Sequence, residues 1–135
     1  MEKSFDPPLP NSLFIINCDD FGWSEPRDLG ILSLFQKGFI SSTTVLINGP
    51  HINEAVSSAK ELNLPLGLHL NITEGQPIAK NTANSLIIQK NWQCKPGEEE
   101  KITGIFRGKI GFFEAWENGV IKKEDVFKEI QSQVN

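Results

Sequence analysis

The sequence predicts an α/β fold of the (β/α) barrel-like kind, on three observations. Short apolar or β-branched runs alternate with stretches of helical period. The spacing between successive runs is too short for anything but one covering helix, which makes neighbouring strands parallel. The third run alternates strictly between apolar and chemically active residues, as a strand with two different faces does. An open α/β sheet satisfies the same observations. With 135 residues, 39% of them hydrophobic, the chain has the size and apolar content of one ordinary domain.

The elements follow in order. Residues 1–12, with Pro7, Pro8 and Pro10, read as an extended leader, and a single domain occupies residues 13–135. Leu13 to Asn17 is an apolar run short enough for a buried strand, and the polar pair Asp19 and Asp20 follows it at once. From Pro26 to Lys37 the residues Leu29, Ile31, Leu32, Leu34 and Phe35 mark one helical face, with Gly38 where a left-handed cap is wanted. Ser42 to Ile47 is β-branched and apolar, and Asn48, Gly49 and Pro50 break it. A second helix is expected over Asn53 to Leu62, and a third strand over Leu66 to Ile72, with Gly67, His69 and Asn71 on its chemical face. Gln76 to Gly104 reads as a long loop with one short apolar element at Leu86 to Ile88, a length that is unusual away from a site. Two helices close the chain, Ile110 to Asn118 and Lys123 onward, the last with Val126, Phe127, Ile130 and Val134 on its apolar face.

Composition removes several classes of function. A net charge of −4, with no basic cluster beyond Lys122 and Lys123, argues against a nucleic-acid partner. No apolar run approaches the ~20 residues of a membrane span, and the first residues are acidic and proline-containing rather than basic and then apolar. No membrane partner and a cytoplasmic location are therefore expected, with homo-oligomerisation left open. Cys18 and Cys94 form neither a disulfide framework nor a zinc spacing.

The chemistry gathers at one sheet end. Asp19 and Asp20 stand where α/β folds place active sites, and two adjacent carboxylates can divide cation binding and proton transfer between them. The bland alternative is an Asx-type turn. His69 projects from the polar face of the third strand toward the same end, so a carboxylate and an imidazole from separate strands can meet on one divalent ion. The bland alternative is a hydrogen-bonded interior histidine. A zinc site needs a third ligand; His51 and Glu74 are the stand-ins within reach, Glu74 the better of the two. Phe21 and Trp23, beside the acidic pair, offer aromatic faces that can stack on a ligand or can simply pack.

Three ordered motifs then carry a resemblance. Residues 16–22 (I-N-C-D-D-F-G) resemble the N-A-D-D-F-G opening of the YdjC-like carbohydrate deacetylase family, with Cys18 for the usual Ala. Residues 38–44 resemble its second strand motif, followed by Asn48, and residues 67–75 resemble its G-x-H-L-x-L-T-x-G segment. The resemblance implies the N-terminal portion of a barrel-like deacetylase that acts on acetylated mono- or oligosaccharides with a divalent metal, magnesium or zinc. By position, Asp19 would be the general base and Asp20 and His69 metal ligands, with Phe21, Trp23, Asn48 and Asn71 near the substrate. The family's third ligand lies in a D-x-H-x-H type segment that this chain does not reach, which implies an incomplete site with lost or weak turnover. A non-catalytic fragment that binds a sugar or a partner is the first rival. A receiver-like phosphorylatable domain is the second, opposed by His69 and Asn71 where a phosphoacceptor Asp would stand.

Overall fold

The computed structural model describes residues 13–79, 84–91 and 102–135. The expected leader lies outside the described residues, as do residues 80–83 and 92–101 of the expected long loop. The elements run β1 (Asn17–Phe21), α1 (Glu25–Gln36), β2 (Ser42–Val45), α2 (Ile52–Leu62), β3 (Leu66–Leu68), a 3₁₀ turn at Asn84–Leu86, β4 (Ile87–Asn91), β5 (Ile102–Phe106), α3 (Gly108–Glu117) and α4 (Lys123–Val134). No described helix is long and apolar enough to cross a membrane.

β1, β2 and β3 form a parallel sheet in sequential order, each pair joined through a helix. That is the α/β plan the spacing predicts. Among the described residues these three strands do not close a barrel; β4 and β5 form a separate antiparallel pair. Where a long loop is expected from Gln76 to Gly104, with one apolar element at Leu86 to Ile88, the described residues include the strands of this pair.

The first strand is displaced from its apolar run. Pairing begins at Asn17 opposite Ser42, so β1 contains the acidic pair instead of preceding it. Residues 13–16 stay outside the ladder, with Leu13 and Ile15 strongly exposed, although the Ile16 carbonyl accepts from the Ser41 N–H at 2.8 Å. β-Propensity alone cannot form a strand without a partner segment alongside.

α1 ends as expected. Gly38 adopts φ +74°, and the Gly38 and Phe39 N–H groups bond the Phe35 and Leu34 carbonyls at 2.9 and 3.0 Å. Its buried face is narrower than the apolar pattern suggests: Ile31 is buried with Asp28, whereas Leu29 and Leu34 face outward.

Two apolar clusters support the chain. Phe21, Ile31, Ile40, Ala55, Ala59 and Leu64 fill the space between the sheet and α1 and α2. Ala79, Leu86, Phe106, Ala115 and Ile121 pack between the hairpin, α3 and α4. Hydrogen bonds join the two halves: the Phe106 and Gly108 N–H groups reach the Gly75 and Thr73 carbonyls at 2.9 and 2.8 Å.

α4 departs most from its pattern. Its buried side chains are Asp125, Glu129 and Gln133, one turn apart, while Phe127 and Val134 are exposed. Glu129 accepts the N–H groups of Ile78 and Ala79 at 3.0 and 2.9 Å and the Gln133 amide at 2.7 Å. Asp125 accepts the Ser85 N–H at 2.8 Å. Gln133 accepts the Asn71 N–H at 3.1 Å and donates to the Asn71 carbonyl. The helix thus satisfies connecting backbone that would otherwise be buried without partners.

Candidate functional site

A bulge in β1 creates the site. Between Cys18, paired with Thr43, and Phe21, paired with Val45, β1 advances three residues while β2 advances two. The extra residue breaks the alternation of the strand. Cys18 and Phe21 both pack in the cluster under α1 and α2, while on the other face Asp19 meets Thr44 and Asp20 meets His69. Asp20 takes φ +66°, a left-handed conformation that Asp tolerates better than most residues. Adjacent carboxylates therefore share one face, where regular extended geometry would have turned them apart.

The next turn is held firmly. The Gly22 N–H donates to buried Asp28 Oδ1 at 2.8 Å, and the Gly22 carbonyl accepts the His51 N–H at 3.0 Å. Gly49 lies against the same carbonyl so closely that a Cβ there would collide with it.

The two carboxylates have different surroundings. Asp19 Oδ1 accepts from Thr44 Oγ1 at 2.6 Å and from Asn17 Nδ2 at 2.7 Å; among the described residues its Oδ2 accepts no hydrogen bond. Asp20 Oδ1 is 3.3 Å from His69 Nδ1, and Asp20 Oδ2 accepts from Arg27 Nη1 at 3.0 Å. His69 Nδ1 also accepts the Asp20 N–H at 3.3 Å and lies 3.5 Å from Thr44 Oγ1. A cavity of about 270 Å³ opens over this group, walled by Asp20, Trp23, Arg27, His69, Glu74 and Lys109 among others.

The donor set can be tested against a cation. The 3.3 Å between Asp20 Oδ1 and His69 Nδ1 is close to the edge of a tetrahedron with metal–ligand bonds of roughly 2.0 Å. That separation suits two ligands of one cation, whose bond to Nδ1 would replace the hydrogen bond from the Asp20 N–H. Among the described residues no group of three His, Cys, Asp or Glu side chains gathers at one point. Glu74 walls the cavity without completing the set, and His51 is on the helix side of the sheet, with Nδ1 3.3 Å from Asp28 Oδ2. Among the described residues neither joins Asp20 and His69 in a group of three.

Of the four residues expected near a substrate, Trp23 and Asn71 line the cavity. Phe21 is fully buried in the first cluster, which removes it as a stacking surface. Asn48 and Asn71 also clamp the loop. Asn71 Nδ2 donates to Asn48 Oδ1 and the Glu74 carbonyl at 3.1 and 2.9 Å, its Oδ1 accepts the Glu74 N–H at 3.0 Å, and Asn48 Nδ2 donates to the Glu74 and Gln76 carbonyls at 2.9 and 3.0 Å. Asn17, Thr44 and Arg27 were missed. Thr44 was legible in principle, as the polar alternate of β2 on the His69 side; nothing local marks Arg27.

Comparison with known proteins places these features in a family context. The family described as YdjC-like protein matches residues 13–135. A Danio rerio protein named carbohydrate deacetylase is 34% identical over 128 residues, covering 95% of this chain and 37% of the relative. A Proteus mirabilis chitooligosaccharide deacetylase is 37% identical over 91 residues, 64% of this chain and 36% of the relative. The crystal structure of an Enterococcus faecalis protein, whose name suggests cellobiose-phosphate cleavage, superposes with a TM-score of 0.67 at 29% identity, covering 88% of this chain and 41% of that one. The chain thus spans little more than a third of the length of these curated relatives.

Proposed function

Since this chain belongs to the YdjC-like family, we propose that it carries the base and two metal ligands of a carbohydrate deacetylase, within a (β/α) barrel-like domain. The reaction is hydrolysis of an acetamide on an acetylated mono- or oligosaccharide. The observation that carries the reading is the bulge, which sets Asp19 on Thr44 and Asp20 on His69 on one open face.

Asp19 is the general base. Thr44 and Asn17 both donate to Oδ1 and fix the plane of the carboxylate, which leaves Oδ2 to take a proton from water as the water attacks the acetyl carbon. Such a base contributes about 10²–10⁴-fold in rate. Asp20 and His69 hold a divalent cation, zinc or magnesium, and we assign the third ligand to a segment outside the described residues. When bound, the cation supplies Lewis-acid polarisation of the acetyl carbonyl. Trp23, half-buried in the cavity wall, offers a face for the sugar ring.

The test is acetate release from N-acetylglucosamine oligomers together with metal content, for this chain, for a longer chain that includes a His-containing segment, and for Asp19→Asn in the longer chain. Turnover should be lost and metal retained. Metal loss with turnover kept would reverse the two roles. Sugar binding by the native chain with no acetate released would favour the rival reading, a binding fragment, which draws on the two-donor metal set.

A further inference from the structure

Asp28 is costly to bury. It is 4% exposed, its Oδ2 makes no hydrogen bond, and His51 Nδ1, 3.3 Å from that oxygen, is likewise buried without one. A residue placed there for packing alone would be apolar, since buried polar atoms that lack partners oppose folding. Its other oxygen shows what the carboxylate does: Oδ1 accepts the Gly22 N–H at 2.8 Å. We propose that Asp28 is a positioning residue for the acidic pair, holding Gly22 so that the extra residue of β1 stays in the bulge and Asp20 stays turned toward His69.

The grip on the turn is two-sided. Both backbone polar groups of Gly22 are engaged from the helix side of the sheet, the N–H by Asp28 in the first turn of α1 and the carbonyl by the N–H of His51, the N-cap of α2, at 3.0 Å. The Phe21 carbonyl accepts the Leu46 N–H at 2.8 Å, which ties the same turn to the end of β2. At the other end of the bulge Cys18 is paired with Thr43, and its carbonyl accepts from Thr43 Oγ1 at 2.6 Å. With both ends fixed, three steps of β1 must fit the length of two on β2, and the surplus is taken up at Asp19 and Asp20. The φ of +66° at Asp20 lies outside the extended region that an unconstrained strand prefers. Releasing the Gly22 end lets the surplus relax, and the Asp20 N–H then leaves His69 Nδ1, to which it donates at 3.3 Å. The His51 ring assists, because Nδ1 stands against Oδ2 and restricts rotation of the carboxylate away from Gly22. Attraction to the helix dipole does not account for Asp28, since Glu25 already supplies an acid to the first turn of α1 without being buried.

The experiment is amide hydrogen exchange followed by NMR on the whole chain, for the native sequence, Asp28→Leu and Asp28→Asn. Exchange reads the backbone alone, so its outcome depends on neither turnover nor metal; only the consequence for acetate release rests on the deacetylase reading, which a failure here would leave standing. Asp28→Leu, which has no acceptor, should speed exchange at both Gly22 and Asp20 about tenfold or more, with the Thr43 and Ala59 amides little affected. Asp28→Asn keeps an acceptor oxygen and should restore most of the protection. Faster exchange at all amides alike would make Asp28 merely structural and overturn the proposal, as would exposure of Gly22 with Asp20 unchanged. Should Asp28→Leu fail to fold, the native chain decides: in low urea the Gly22 and Asp20 amides should open together with one denaturant dependence. An Asp20 amide that opens while Gly22 stays closed would overturn the proposal.

Discussion

Thr44 is the residue on which the chemistry of Asp19 turns. Its hydroxyl donates to Asp19 Oδ1 at 2.6 Å and stands 3.5 Å from His69 Nδ1, so one side chain on β2 touches both partners of the proposed reaction. A hydrogen bond to a charged group is worth about 1.5–3 kcal/mol, which corresponds to a loss of about 10- to 100-fold if orientation of the base depends on it. Thr44→Val keeps the shape of the side chain and removes the donor. It should lower kcat for acetate release by that factor with KM little changed, and Thr44→Ser should restore most of the rate. A Thr44→Val enzyme that is defective in KM alone would place the hydroxyl on the substrate instead.

At the scale of elements, α4 shows how a helix can be anchored by polar contacts. Its buried side chains at 125, 129 and 133 reach back to the connections after β3 and before β4, so that the helix and the cavity loop are ordered together. Glu129 is the centre of this row, fully buried and accepting three hydrogen bonds. Glu129→Leu is apolar and fits the buried position in polarity, yet it deprives the Ile78 and Ala79 N–H groups of this acceptor. A lost partner of this kind costs about 1–3 kcal/mol, and the urea midpoint should fall accordingly. An unchanged midpoint would mean that the loop finds other partners at no cost.

For the molecule as a whole, the same row couples stability to pH. Burial pushes the Asp125 carboxyl up, but the Ser85 N–H and hydroxyl, with the Lys128 and Lys122 charges, outweigh it and hold the group below its ordinary value. The folded state therefore releases this proton more readily than the unfolded chain. The stabilisation is complete above the unfolded value and is lost as pH falls through the folded one. Unfolding free energy measured between neutral pH and about pH 3 should fall less steeply below about pH 4 in Asp125→Asn than in the native chain. Parallel curves would remove Asp125 from the acid response.

Periodicity and short motifs made much of the molecule readable. The two crossover helices, the order of strands, the cap at Gly38 and the identities of Asp19, Asp20 and His69 all depend on residues within a few positions of one another. Even the bulge left a trace, since Cys18 and Phe21, the two strand residues that pack inward, are three apart where regular alternation needs an even step. The β4–β5 pair, the polar underside of α4, the burial of Phe21 and the tie between Arg27 and Asp20 were settled by tertiary contact. Each depends on groups brought together from distant segments or on which face a neighbour covers. A hydrogen bond such as that from the Ser85 N–H to Asp125 exists only once 40 residues of chain have folded back to close it, and no local pattern encodes which polar side chain will be waiting there.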